Sequence, residues 1–161
     1  MKELFRDLIE CLASETGHYR KLILLAEKQK ELLVAGNVAS LNENTRLEEK
    51  EVFALGPLAA QRNELLSRIA QANQVKKISL EKALERCPGE HAAELQKVIK
   101  DLERTVKGLD ELNQSNGNLL HNALTFANFT LRIIDNTGKK KIYSPQGTIE
   151  EVKQSVVNRI V

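Results

Sequence analysis

Stepping by three and four residues from Ala92 to Ile134 passes through Leu95, Ile99, Leu102, Val106 and Leu109 and then Leu120, Ala123 and Ala127, so that ten of thirteen positions are apolar. That period, held for more than forty residues, describes one face of a single long α-helix. At 1.5 Å per residue such a helix spans ~60 Å, which exceeds a compact globule and requires partner helices laid alongside it. The constraint on the whole chain is therefore an elongated antiparallel helical bundle with coiled-coil-like packing.

The rest of the chain supplies those partners. Over residues 4–33, apolar side chains recur at Leu4, Leu8, Cys11/Leu12, Tyr19, Leu22/Ile23 and Leu32/Leu33, the spacing of a first helix that Gly17 weakens without breaking. Ala35-Gly36-Asn37 reads as a stop and then a start, with Gly36 able to take positive φ and Asn37 able to cap the second helix. From Val38 the same stepping reaches Ile69 with seven apolar residues in ten positions, a second long helix in which Pro57 is expected to produce a kink near Gly56. The pattern lapses around residues 74–79. Ser79 then opens a short helix that Cys87-Pro88-Gly89 closes, a lobe on the connection to the third long helix. The fold expected is all-α: three long or medium helices and one short one. Residues 1–136 would form the bundle and residues 137–161 a flexible C-terminal tail, in which Lys139 to Lys141 and Pro145 mark an exposed linker and Ile149, Val152, Val156 and Ile160 a short amphipathic helix.

Composition narrows the function. The 161 residues contain no Trp and only six aromatics, so buried area must come chiefly from aliphatic side chains. Lys and Arg total 24 against 22 Asp and Glu, a formal charge of +2 that provides no global field for nucleic acid or anionic lipid and points to protein partners. No apolar run is long enough for stable membrane insertion, and a cytoplasmic location is expected. Cys11 and Cys87 are far apart and have no metal-ligand spacing, which fits small buried or partly buried thiols. There is no convergent nucleophile, base or phosphate loop, so neither an enzyme nor a cofactor is expected. His18 with Lys21 comes nearest to a phosphorelay pattern, but Gly17 and Tyr19 flank it differently from that pattern. The three lysines at 139–141 read as a solvated face that also favours a helix C-terminus.

The informative stretch is 113–134. Its apolar residues include Leu119, Phe126 and Ile133, which share a heptad position different from the row of Leu120, Ala127 and Ile134, and Leu124 and Phe129 besides, so the apolar surface is wider than one seam needs. Two readings stand at this point: the stretch is buried on several sides by the first helix and the tail, or part of it forms a groove for a partner helix held through i, i+3 and i+4 anchors.

A first helix ending at Gly36-Asn37, then Val38-x-x-Leu41 and a charged second helix containing Lys50 and Arg62, form the first part of a recognisable pattern. Asn116-x-x-Leu119-Leu120-x-x-Ala123-Leu124-x-Phe126 and a closing Tyr143-x-x-x-Gly147 complete it. Together they resemble the FlgN-type flagellar export chaperones over nearly the whole chain. The resemblance implies a cytoplasmic chaperone that binds hook-filament junction (hook-associated) proteins, prevents their premature assembly and delivers them to the flagellar type III export gate. It implies gate docking by Tyr143, with Gly147 as a turn residue. Cargo contacts are expected at Leu119, Leu124, Phe126, Phe129 and Ile133 and at Ile149, Val152, Val156 and Ile160 of the tail. The lobe at 78–89 departs from shorter members of the family. The alternative is a structural or adaptor coiled coil that self-associates through the third helix, and a homodimer stays open in either case.

Overall fold

The computed structural model describes residues 1–137 together with 141–143 and 149–151, with side chains described through residue 134. Four helices form where the periodicity places them: α1 Lys2–Ala35, α2 Val38–Ala72, α3 Leu80–Glu85 and α4 Gly89–Thr137. The boundaries arise from local chemistry. Gly36 takes φ 65°, and its N–H donates to the carbonyls of Leu32 and Leu33 to satisfy the end of α1. One residue later the Asn37 side chain accepts from the Ser40 N–H and starts α2. Ser79 caps α3 in the same way by accepting from the Lys82 N–H. Pro57 stands inside α2, which continues as helix to Ala72.

Two compact units partition the chain, Met1–Gly117 and Asn118–Val161, so the contact boundary falls inside α4 rather than at its end. In the first unit α1 and α2 run antiparallel: Cys11 meets Leu58, His18 meets Glu51, and Asn44 meets Leu25. α4 runs parallel to α1, with Lys2 against Glu90, Arg20 against Asp101 and Ala26 against Asn116. The core gathers at the end where α1 begins and α2 finishes. Phe5, Leu8 and Leu12 pack there against Leu65 and Ile69 and against Leu95, Ile99 and Leu102 of α4. The lobe is part of that core, because Ile78 and Ala83 are buried in it.

In the second unit α4 continues to Thr137, and beyond it two three-residue strands, β1 Lys141–Tyr143 and β2 Ile149–Glu151, pair antiparallel with Tyr143 opposite Ile149. Of the four residues expected in a short amphipathic helix, Ile149 opens β2. Val152, Val156 and Ile160 lie outside the described residues, as does Gly147.

Candidate functional site

One helix, α4, carries both core residues and the candidate site residues. In the first unit the inward row of α4 is buried at Leu95, Ile99 and Leu102 and ends at Asn116, which is 3% exposed. Asn116 Nδ2 donates to the Ala26 carbonyl at 2.7 Å and to Gln29 Oε1 at 2.8 Å. Gln29 Nε2 in turn donates to Glu48 Oε2, whose other oxygen accepts from Asn44 Nδ2. Side chains of α1, α2 and α4 are thus tied by a polar layer at the opposite end of the bundle from the apolar core. Burial pushes the Glu48 carboxyl above the usual range, and the Asn44 hydrogen bond opposes that shift.

Four residues beyond Asn116 the burial ends. Leu120 is 45% exposed on the same row, Leu124 is 56% exposed, and Leu131 is also exposed. At 3.6 residues per turn these side chains share a face with Ala127. A second strip, with Phe126 at 71%, Phe129 at 60% and Ile133 at 47% exposure, occupies a separate face of the same turns. Leu119, on the edge of that strip, is half-buried. From Leu112 to Ile134 there is no acidic residue and the one Lys or Arg is Arg132. Of the expected cargo residues, five therefore lie within four turns of one helix: four exposed and Leu119 half-buried. Ile149 is placed across the strand pair from Tyr143, and the other three fall outside the described residues. Of the two readings of the 113–134 stretch, burial on several sides is not what its exposed residues show.

A concave feature lies elsewhere and was missed in the sequence. Tyr19 and Leu22 of α1, Glu48, Val52 and Leu55 of α2, and Leu109 of α4 line a cleft of about 440 Å3. It adjoins a second depression that shares Glu48 and Val52 and includes Glu49 and the 84% exposed Phe53. The small residues Ala26, Gly56 and Ala59 along its wall are the signal that could have pointed to it.

The remaining candidates are structural. His18 Nδ1 and Glu51 Oε2 are 2.6 Å apart and Lys21 reaches the same oxygen at 3.5 Å, so both members of the phosphorelay-like pair are taken up by one carboxylate. Chiefly through the His18 hydrogen bond, Glu51 is held below the ordinary carboxylate range. Cys11 is buried and donates to the Leu58 carbonyl, Cys87 is half-buried, and burial pushes both thiols up, away from the reactive thiolate. Glu15, 1% exposed, pairs with Arg62 Nη1 at 2.6 Å. Among the described residues no helix is long and apolar enough to cross a membrane.

No curated protein and no solved structure matches the chain. The model of the FlgN protein family matches it over residues 1–151, which takes in all four helices and both strands. With that extent of match, the chain belongs to the FlgN family, a family of flagellar export chaperones rather than of enzymes.

Proposed function

We propose that this protein is the cytoplasmic chaperone of hook-filament junction subunits, which it keeps from premature assembly and delivers to the flagellar type III export gate. The observation that carries the reading is the exposure of Phe126, Phe129 and Ile133 on one face of a helix whose first half is well packed. A subunit whose terminal helix has no partner until it assembles outside the cell presents an apolar stripe of its own. Two such faces bury each other without an energy source, and each Phe or Leu that becomes fully buried contributes about 1.5–3 kcal/mol. A few anchors of this kind hold a subunit firmly yet release it, because ordering and lost rigid-body freedom offset much of the gain.

Cargo contacts in this reading are Leu119, Leu124, Phe126, Phe129 and Ile133 on α4, joined by Ile149, Val152, Val156 and Ile160 of the tail. Tyr143 docks on the export gate, and its place opposite Ile149 in the strand pair would bring the gate contact next to the cargo contact. The test is a pulldown from the cytoplasm of the native host with tagged full-length chain beside a chain truncated after Asn136. Recovery of hook-filament junction subunits by the full-length chain, reduced on truncation, supports both parts of the assignment. A bait that retrieves only itself replaces it with the self-associating coiled coil.

A further inference from the structure

The cleft lies wholly within the first unit, since every residue that lines it precedes Gly117. Buried Leu22 and Ala26 of α1 lie at its base, Val52 of α2, 57% exposed, stands at one edge, and Leu109 and Asn113 of α4 stand at another. From Glu48 to Ala59 the α2 edge runs about 16 Å, roughly three turns of helix, and Gly56 and Ala59 put no bulky side chain in the way. Three helices around such a slot leave the place of a fourth member of a bundle.

The charges at the slot are of one sign. Glu48 lines it, and Glu49 lines the adjoining depression together with exposed Phe53. Glu48 accepts from Gln29 and Asn44, and neither carboxylate is paired with a cation among the described residues. Nearby cations are held by other acids: Arg20 by Asp101, Lys21 by Glu51, Arg62 by Glu15 and Lys107 by Glu111. Arg46 and Lys50 stand about 120° and 160° round α2 from Val52, away from the slot. Asp110, which follows Leu109 in α4 and accepts from Gln114, adds a third acid to the surroundings. Burial already pushes the Glu48 carboxyl up, so a cation brought beside it relieves a cost that the free chain carries.

We propose that the α1–α2–α4 cleft is the docking site for a helix of another protein, one whose apolar face is flanked by lysine or arginine. Its apolar side chains meet Leu22, Val52, Leu55 and Leu109, and its basic flank meets Glu48 and Glu49. The cargo residues assigned above all come after Gly117. This partner and the cargo therefore contact different residues, and either reading can fail without the other.

The probe is a short synthetic helical peptide with leucine on one face and lysine on its flanks, titrated into the full-length chain by fluorescence anisotropy beside the same peptide with glutamate for lysine. The lysine peptide is expected to bind about tenfold tighter at low salt than the glutamate peptide, and Glu48→Gln with Glu49→Gln to remove most of that difference. A Cβ at Gly56 meets nothing within 4 Å, so the fold accepts Gly56→Leu while the added side chain fills the slot. That variant, and Val52→Lys at the exposed edge, are expected to abolish binding without lowering the unfolding midpoint. Equal affinity for the two peptides overturns the proposal, as does binding that survives both Gly56→Leu and Val52→Lys. So does binding lost with Phe126→Asp and Phe129→Asp, which places the probe on the exposed half of α4. A dimer that Gly56→Leu turns into a monomer gives the cleft to a second copy, and cargo capture lost in Gly56→Leu gives it to the cargo; either result overturns the proposal.

Discussion

Asn116 and Leu120 stand about one turn apart on one face of one helix, yet the first is 3% exposed and the second 45%. Below that step α4 is a structural element. Its inward row packs with α1, α2 and α3 and ends in a layer of amides and a carboxylate that fixes how the helices meet. Above it the row keeps its apolar character while Leu120, Leu124 and Leu131 are exposed. Buried polar groups of the Asn116 kind are costly when unpaired, and here Asn116 donates to the Ala26 carbonyl and to Gln29. The comparison shows that one apolar period can run unbroken from buried to exposed positions.

Truncating side chains in the two halves gives the sharpest contrast. Leu95→Ala or Leu102→Ala is expected to lower the unfolding free energy by about 2–5 kcal/mol, while Leu124→Ala and Phe126→Ala stay within about 0.5 kcal/mol, as read by urea unfolding of the full chain. Equal losses in both halves would erase the distinction. Arg62→Ala should come next, at about 3 kcal/mol near neutral pH, because it leaves the Glu15 carboxylate buried without its partner. Burial already pushes the Glu15 carboxyl up, and Arg62 opposes that shift. Without the arginine its folded-state value rises further above the unfolded one, so the folded chain binds the extra proton. The penalty should therefore shrink as pH falls from 7 towards 5, and a penalty independent of pH would show that Glu15 is not its source.

Asn116→Ala removes two donated hydrogen bonds and is expected to cost about 1–3 kcal/mol. Since Asn116 Oδ1 accepts no hydrogen bond among the described residues, the cost should fall at the lower end of that range. The smallest effect expected is that of Asn37→Ala, about 1 kcal/mol from the lost cap, with cargo binding unchanged. A larger fall, measured by thermal unfolding, would mean that the α1–α2 turn supports more than its own helix start.

Helix positions were legible because they rest on local chemistry: the Gly36 and Asn37 pair, Ser79, and stripes long enough to fix a period. The two halves of α4 were not distinguishable in the same way. Stepping from Leu95 to Ile134 identifies the apolar face but carries no information about what covers it, and burial at Leu102 against exposure at Leu120 is set by the other helices. For the same reason the cleft escaped notice. Tyr19, Leu55 and Leu109 come from three helices, and only their packing brings them together. The phosphorelay-like His18 and Lys21 were ambiguous until Glu51, thirty-three residues from His18, was placed against them.

The central claim is that the second half of α4 serves recognition rather than the fold. It is tested most directly by titrating the full chain carrying Phe126→Asp and Phe129→Asp with a peptide of the terminal helix of the host's hook-filament junction protein, with the unfolding midpoint of the same sample recorded. The account predicts at least a tenfold loss of affinity with helicity and midpoint unchanged. Unaltered affinity, or a loss that comes with destabilisation as large as that of Leu102→Ala, would contradict it.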